Sequence, residues 1–150
     1  MNSRTNVILV AAAALIAPVI AGCSSGPAPA GLQPGTLPSG TAQITVNDHD
    51  LGTFRAVACT STGDLTTMTT GDEESGSTVV VSNADGLIAK SVEVRNLGGF
   101  TGSYHEGLPG GSAAVTLTGK TYLTEGSAEG FDTDKPSFRS KGTFSIKIAC

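Results

Sequence analysis

From residue 43 to residue 149 the chain shows no sustained helical period, and turn-forming clusters interrupt it at intervals of about 8–12 residues. No other feature narrows the fold as much. An amphipathic helix needs apolar residues three and four positions apart, whereas a half-buried strand needs strict alternation. Residues 142–149 alternate most cleanly, with Phe144, Ile146 and Ile148 against Ser145, Lys147 and Ala149. Residues 53–59 do the same, with Phe54, Ala56 and Ala58 on one face and Arg55, Val57 and Cys59 on the other. Further strand-like runs lie at 43–46, 65–70, 78–82, 87–95, 100–104, 113–118, 121–125 and 127–131. Asp85-Gly86 signals a hairpin, Gly119-Lys120 a tight turn, and Asn47-Asp48-His49-Asp50 another turn. A polar loop occupies 71–76 between two glycines. The expected fold is all-β, a single antiparallel sandwich or half-open barrel, with room for one short helix at 83–90 or 132–138.

The N-terminal segment is of another kind. Residues 7–20 are nearly all Val, Ile, Leu and Ala, broken at Pro18 and preceded by one basic residue, Arg4. A short basic start, a short apolar run and small residues form the secretory signal pattern. The run falls short of the roughly 20 residues that span a membrane. It ends in Ile20-Ala21-Gly22-Cys23, which resembles the bacterial lipobox. In that motif a diacylglycerol thioether forms on the cysteine sulfur, the peptidase cuts just before it, and the new N-terminus is acylated. The competing reading is an ordinary signal cut elsewhere, which leaves Cys23 a free thiol. Each buried methylene adds about 0.8 kcal/mol of membrane affinity, so one chain anchors marginally and two or three anchor stably.

This reading divides the chain into a signal at 1–22, an acylated cysteine and linker at 23–41, and a β domain at 42–150. The linker is rich in Pro, Gly and Ala with almost no charge. Fully extended, it reaches on the order of 50 Å, at about 3.1 Å per residue. Losing Arg4 with the signal leaves 8 basic against 13 acidic side chains. That acidic balance argues against nucleic acid as a partner. With Cys23 taken by lipid, Cys59 and Cys150 remain as an even pair in an exported chain, where disulfides persist. Two separate buried thiols are the alternative. The expected location is outside the cytoplasm, lipid-anchored at the cell membrane and facing the cell wall or periplasmic space.

Motifs with chemical potential each have a plainer reading. Gly119-Lys120-Thr121 lacks the first glycine of a phosphate loop, since Ala114 stands there, and no helix follows. His49 and His105 are far apart in sequence, and adjacent Asp48, His49 and Asp50 cannot all converge on one ion. Ser103 or Ser112 with His105 lacks a nucleophile elbow. Asp72-Glu73-Glu74 lacks the ligand spacing of a calcium loop and reads as a charged turn. Lys135, Arg139, Lys141 and Lys147 make the C-terminal quarter locally basic. These could steer an acidic glycan or headgroup, but such residues more often cover the outer face of strands. No catalytic residues, metal site or cofactor are expected beyond the covalent diacylglycerol and N-acyl lipid on Cys23.

Several of these stretches together resemble the mycobacterial nineteen-kilodalton lipoprotein antigen family. They are Ile20 to Ser25, Ile44-Thr45-Val46 before a polar turn, Ala56-Val57-Ala58-Cys59-Thr60 followed by Gly63, Lys90-Ser91-Val92, and the tail from Lys141 to Cys150. The resemblance implies an envelope lipoprotein whose lipidated N-terminus is an agonist of host Toll-like receptor 2. In that family the N-terminal segment is Thr-rich and can carry O-linked mannose. Here it offers only Ser24, Ser25, Thr36, Ser39 and Thr41. Two functions follow as expectations. One is a non-catalytic surface display or adhesion module. The other is a tethered carrier of lipid or glycolipid, its apolar ligand lined by Phe54, Leu87, Ile88, Val92, Phe100 and Phe144.

Overall fold

The computed structural model describes residues 31–150. The signal segment, Cys23 and the start of the linker lie outside the described residues. Ten strands follow one another: β1 (Thr41–Val46), β2 (His49–Phe54), β3 (Val57–Thr62), β4 (Leu65–Gly71), β5 (Gly76–Ser82), β6 (Ile88–Leu97), β7 (Phe100–His105), β8 (Ser112–Thr118), β9 (Thr121–Asp132) and β10 (Ser140–Ala149). There is no helix among the described residues. The two segments with room for one are hairpin connections: 83–87 joins β5 to β6, and 133–139 joins β9 to β10.

One sheet runs in the order β2-β1-β10-β9-β7-β6-β5-β4-β3, with every neighbouring pair antiparallel. It follows that β2 and β3, at opposite edges, run in the same direction. Yet only Arg55 and Ala56 separate them in the chain. One extended stretch therefore serves both edges: its first half bonds to β1 and its second half to β4. This coils the sheet into an antiparallel barrel that is nearly closed. It also corrects the single strand expected at 53–59, which is the passage from one edge to the other.

A second shared strand lies opposite. β9 is one continuous strand through Gly126, where the sequence suggested two. β8 pairs with its first part, from Thr118↔Thr121 to Ser112↔Ser127. β7 pairs with its last part, from Ser103↔Glu129 to Phe100↔Asp132.

Alternation places the core. β10 turns Phe144, Ile146 and Ile148 inward, where they meet Ile44 and Val46 of β1, Val79 and Val81 of β5, and Val92 and Val94 of β6. Met68 is the apolar member of an inner face otherwise made of Thr66 and Thr70. Thr70 answers its burial by bonding the Ser77 hydroxyl at 2.8 Å, as a buried hydroxyl requires. Phe100 is the largest fully buried side chain among the described residues, 1% exposed. Its ring lies against Gly102 of its own strand and Gly142 of β10. A Cβ built on Gly142 would stand 2.6 Å from the ring's Cζ, so the bare backbone is what admits the ring.

Candidate functional site

Cys59 of β3 and Cys150, the residue after β10, form a disulfide with Cα atoms 5.9 Å apart. Cys59 is exposed and Cys150 half-buried. The bridge ties one edge of the sheet to a strand near the other edge. The Cys150 N–H donates to the Lys120 carbonyl in the β8–β9 turn at 3.1 Å.

The chain enters at this same pole. Composition marks everything up to Thr41 as linker, but from Leu37 onward it is bonded to the domain. Thr36 N–H closes a turn on the Gln33 carbonyl, and Leu37 N–H donates to Thr121 Oγ1 at 3.0 Å. Gly40 N–H donates to the Ala149 carbonyl at 2.8 Å. Any pull on the N-terminal segment is thus delivered to β1, β9 and β10, which the disulfide links to β3.

The six residues named as a possible apolar lining fall into two groups. Val92, Phe100 and Phe144 are buried core. Phe54, Leu87 and Ile88 are half-buried, the first two packed against that core. Phe144 alone of the six borders one of the three surface depressions described here, about 270 Å³ beside Thr45, Asp48 and Glu125.

The other two depressions adjoin each other on the outer face of the sheet. One, about 360 Å³, is lined chiefly by outward residues of β5, β6, β7 and β9. The register explains why they meet. Thr78 stands opposite Glu93, Glu93 opposite Ser103, and Ser103 opposite Glu129. Ser91 opposite His105 and Thr101 opposite Phe131 flank that row. The second depression, about 390 Å³, continues past Glu129 and Phe131 to Phe138 and Arg139 of the β9–β10 connection. Sequence reasoning missed this groove, because each outward Ser, Thr or Glu reads alone as a solvated strand face. The available signal was Phe131, an aromatic at an outward position. Charge is locally balanced: Arg95 lies 3.7 Å from Glu93, and Arg139 lies 3.7 Å from Glu129. Such exposed pairs contribute about 0–1 kcal/mol each.

The remaining motifs take structural positions. Gly119-Lys120 is the two-residue β8–β9 turn, and Asn47-Asp48, both at positive φ, make the β1–β2 turn. The Asp72 carboxylate accepts the N–H groups of Glu74 and Ser75, shaping its own loop. Among the described residues no three His, Cys, Asp or Glu side chains converge as metal ligands. Ser103 and His105 both face the groove, while the Ser112 hydroxyl meets that of Ser127.

Residues 35–150 match the family model described as Mycobacterium 19 kDa lipoprotein antigen. The chain belongs to that family. A Mycobacterium indicus pranii protein carrying a provisional lipoprotein name is 38% identical, with both chains covered in full. Lipoprotein LpqH of Mycobacterium avium is 28% identical over 94% of each chain. Lipoprotein LpqH of Mycobacterium tuberculosis is 26% identical over 72% of this chain and 68% of its own. Membership in this lipoprotein antigen family implies an exported protein associated with the membrane through a lipid anchor.

Proposed function

We propose that this chain is a lipid-anchored, non-catalytic display and adhesion module, acylated on Cys23 and facing the cell wall or periplasmic space. The lipidated N-terminus is what host Toll-like receptor 2 senses, and the β domain is the part held out from the membrane. The observation that carries this reading is the entry of the chain at the disulfide-bridged pole. An anchored domain is loaded through its first strand, and here that strand, the last strand and the edge strand β3 are tied together. Phe100 and Val92 favour this reading over the lipid carrier. They are filled-in core, and a domain of this size needs its largest apolar side chains for stability.

Substituting Cys23→Ala in the full-length protein tests the reading. Receptor stimulation by the purified variant is expected to fall to background, while its circular dichroism and thermal midpoint match the parent. Undiminished stimulation by a well-folded variant contradicts it.

A further inference from the structure

We infer that the groove on the outer face of β5, β6, β7 and β9 binds an uncharged oligosaccharide segment of a polysaccharide. This does not depend on how the chain is anchored. The two adjoining depressions give the groove a size of about 360 and 390 Å³ in sequence, within the range of small-ligand sites, about 300–1,000 Å³.

The lining selects the ligand by elimination and by fit. A long acyl chain needs continuous apolar walls, but the middle of this groove is the row Thr78, Glu93, Ser103 and Glu129. Each carboxylate in the groove already has an arginine near it, Glu93 with Arg95 and Glu129 with Arg139, so the groove carries no net charge to draw an anion or a cation. An uncharged polyol matches every part. Neighbouring sugar hydroxyls donate to a carboxylate in short, charge-assisted hydrogen bonds. The Ser and Thr hydroxyls both donate and accept. The C–H face of a pyranose ring packs on the electron-rich face of an aromatic ring. Phe131 stands beside the central row, and Phe138, 71% exposed, stands at the end of the groove.

Glu129 stands at the junction of the two depressions. A Cβ on Gly110 would fall 2.6 Å from Glu129 Oε2, so the β7–β8 connection lies directly against this carboxylate. Arg139 approaches it at 3.7 Å.

The test uses the detergent-solubilised full-length protein and three uncharged hexasaccharides, built of glucose, mannose and galactose, titrated calorimetrically. At least one is expected to bind with a Kd of about 1 mM or tighter. Phe138→Ala and Glu129→Gln are each expected to weaken it about tenfold or more. Both side chains are solvent-exposed, so both variants should keep the parent's circular dichroism and thermal midpoint. No binding of any of the three at about 10 mM overturns the inference. So does binding that neither substitution weakens. Binding of a tri-lysine peptide with sugars ignored would assign the groove to a cationic partner and overturn it equally.

Discussion

Removing the Cys59–Cys150 bridge by the double substitution Cys59→Ala, Cys150→Ala is expected to lower the unfolding free energy by about 4–5 kcal/mol. The two residues are 91 apart in sequence, so the bridge closes most of the domain into one loop and restricts the unfolded chain accordingly. Against a typical total of about 5–15 kcal/mol, that loss is at least about a quarter of the stability. The architecture adds a local effect. β3 pairs only with β4, and only Val57 of its six residues is even half-buried. Apart from those hydrogen bonds and the packing of Val57 on the core, the bridge is what holds this edge. Urea unfolding followed by circular dichroism measures the global loss, and amide exchange measures the local one. Exchange should rise first in β3 and its β4 partners. A loss under about 1 kcal/mol, with β3 still protected, would mean that sheet pairing alone holds the seam.

Phe100→Ala is expected to cost about 3–5 kcal/mol, the range for emptying a buried aromatic site. The ring's packing against backbone makes a sharper test possible. Gly142→Ala pushes a methyl into the ring and should cost about 1–3 kcal/mol as an overpacked substitution. In the Phe100→Ala background that methyl has room. The double variant should therefore be more stable than the sum of the single losses implies, by about 0.5–3 kcal/mol. Urea denaturation of the four proteins gives the coupling directly. Strict additivity would show that ring and glycine do not share the space.

The strands with a clean period were legible because one face is core and the other is solvent. Residues 142–149 are the plainest case: Phe144, Ile146 and Ile148 are inward as alternation requires. Turns carried by Asp85-Gly86 and Gly119-Lys120 also fall between paired strands. Partnership was not legible. Alternation reports which face a residue occupies, and it is silent about which strand lies beside it. Residues 53–59 alternate in sequence, yet the side chains that pack on the core are Phe54 and Val57, with Ala56 and Ala58 exposed, because the two halves bond to opposite edges of the sheet. Gly126 misled for a related reason. It reads as a strand break, yet it lies inside β9 because a side chain there would collide with the Ser112 carbonyl of β8.

The bridge was legible by cysteine count, whereas Cys23 lies outside the described residues. The groove was not legible, because it exists only through register. Thr78, Glu93, Ser103 and Glu129 lie on four strands and span over 50 positions of sequence, and nothing local to any of them marks the others. The end of the linker escaped for the opposite reason. Its Pro and Gly content matches a free tether, and only the hydrogen bonds from Leu37 and Gly40 reveal that it is docked.

The most direct test of a lipid-anchored display module is the intact mass of the full-length protein extracted from membranes of the producing cell. The expected species begins at Cys23, carries a diacylglycerol and an N-acyl group, and lacks two hydrogens for the Cys59–Cys150 bridge. A chain with Cys23 unmodified, or one whose N-terminus lies elsewhere, would contradict the anchoring on which the proposed function rests.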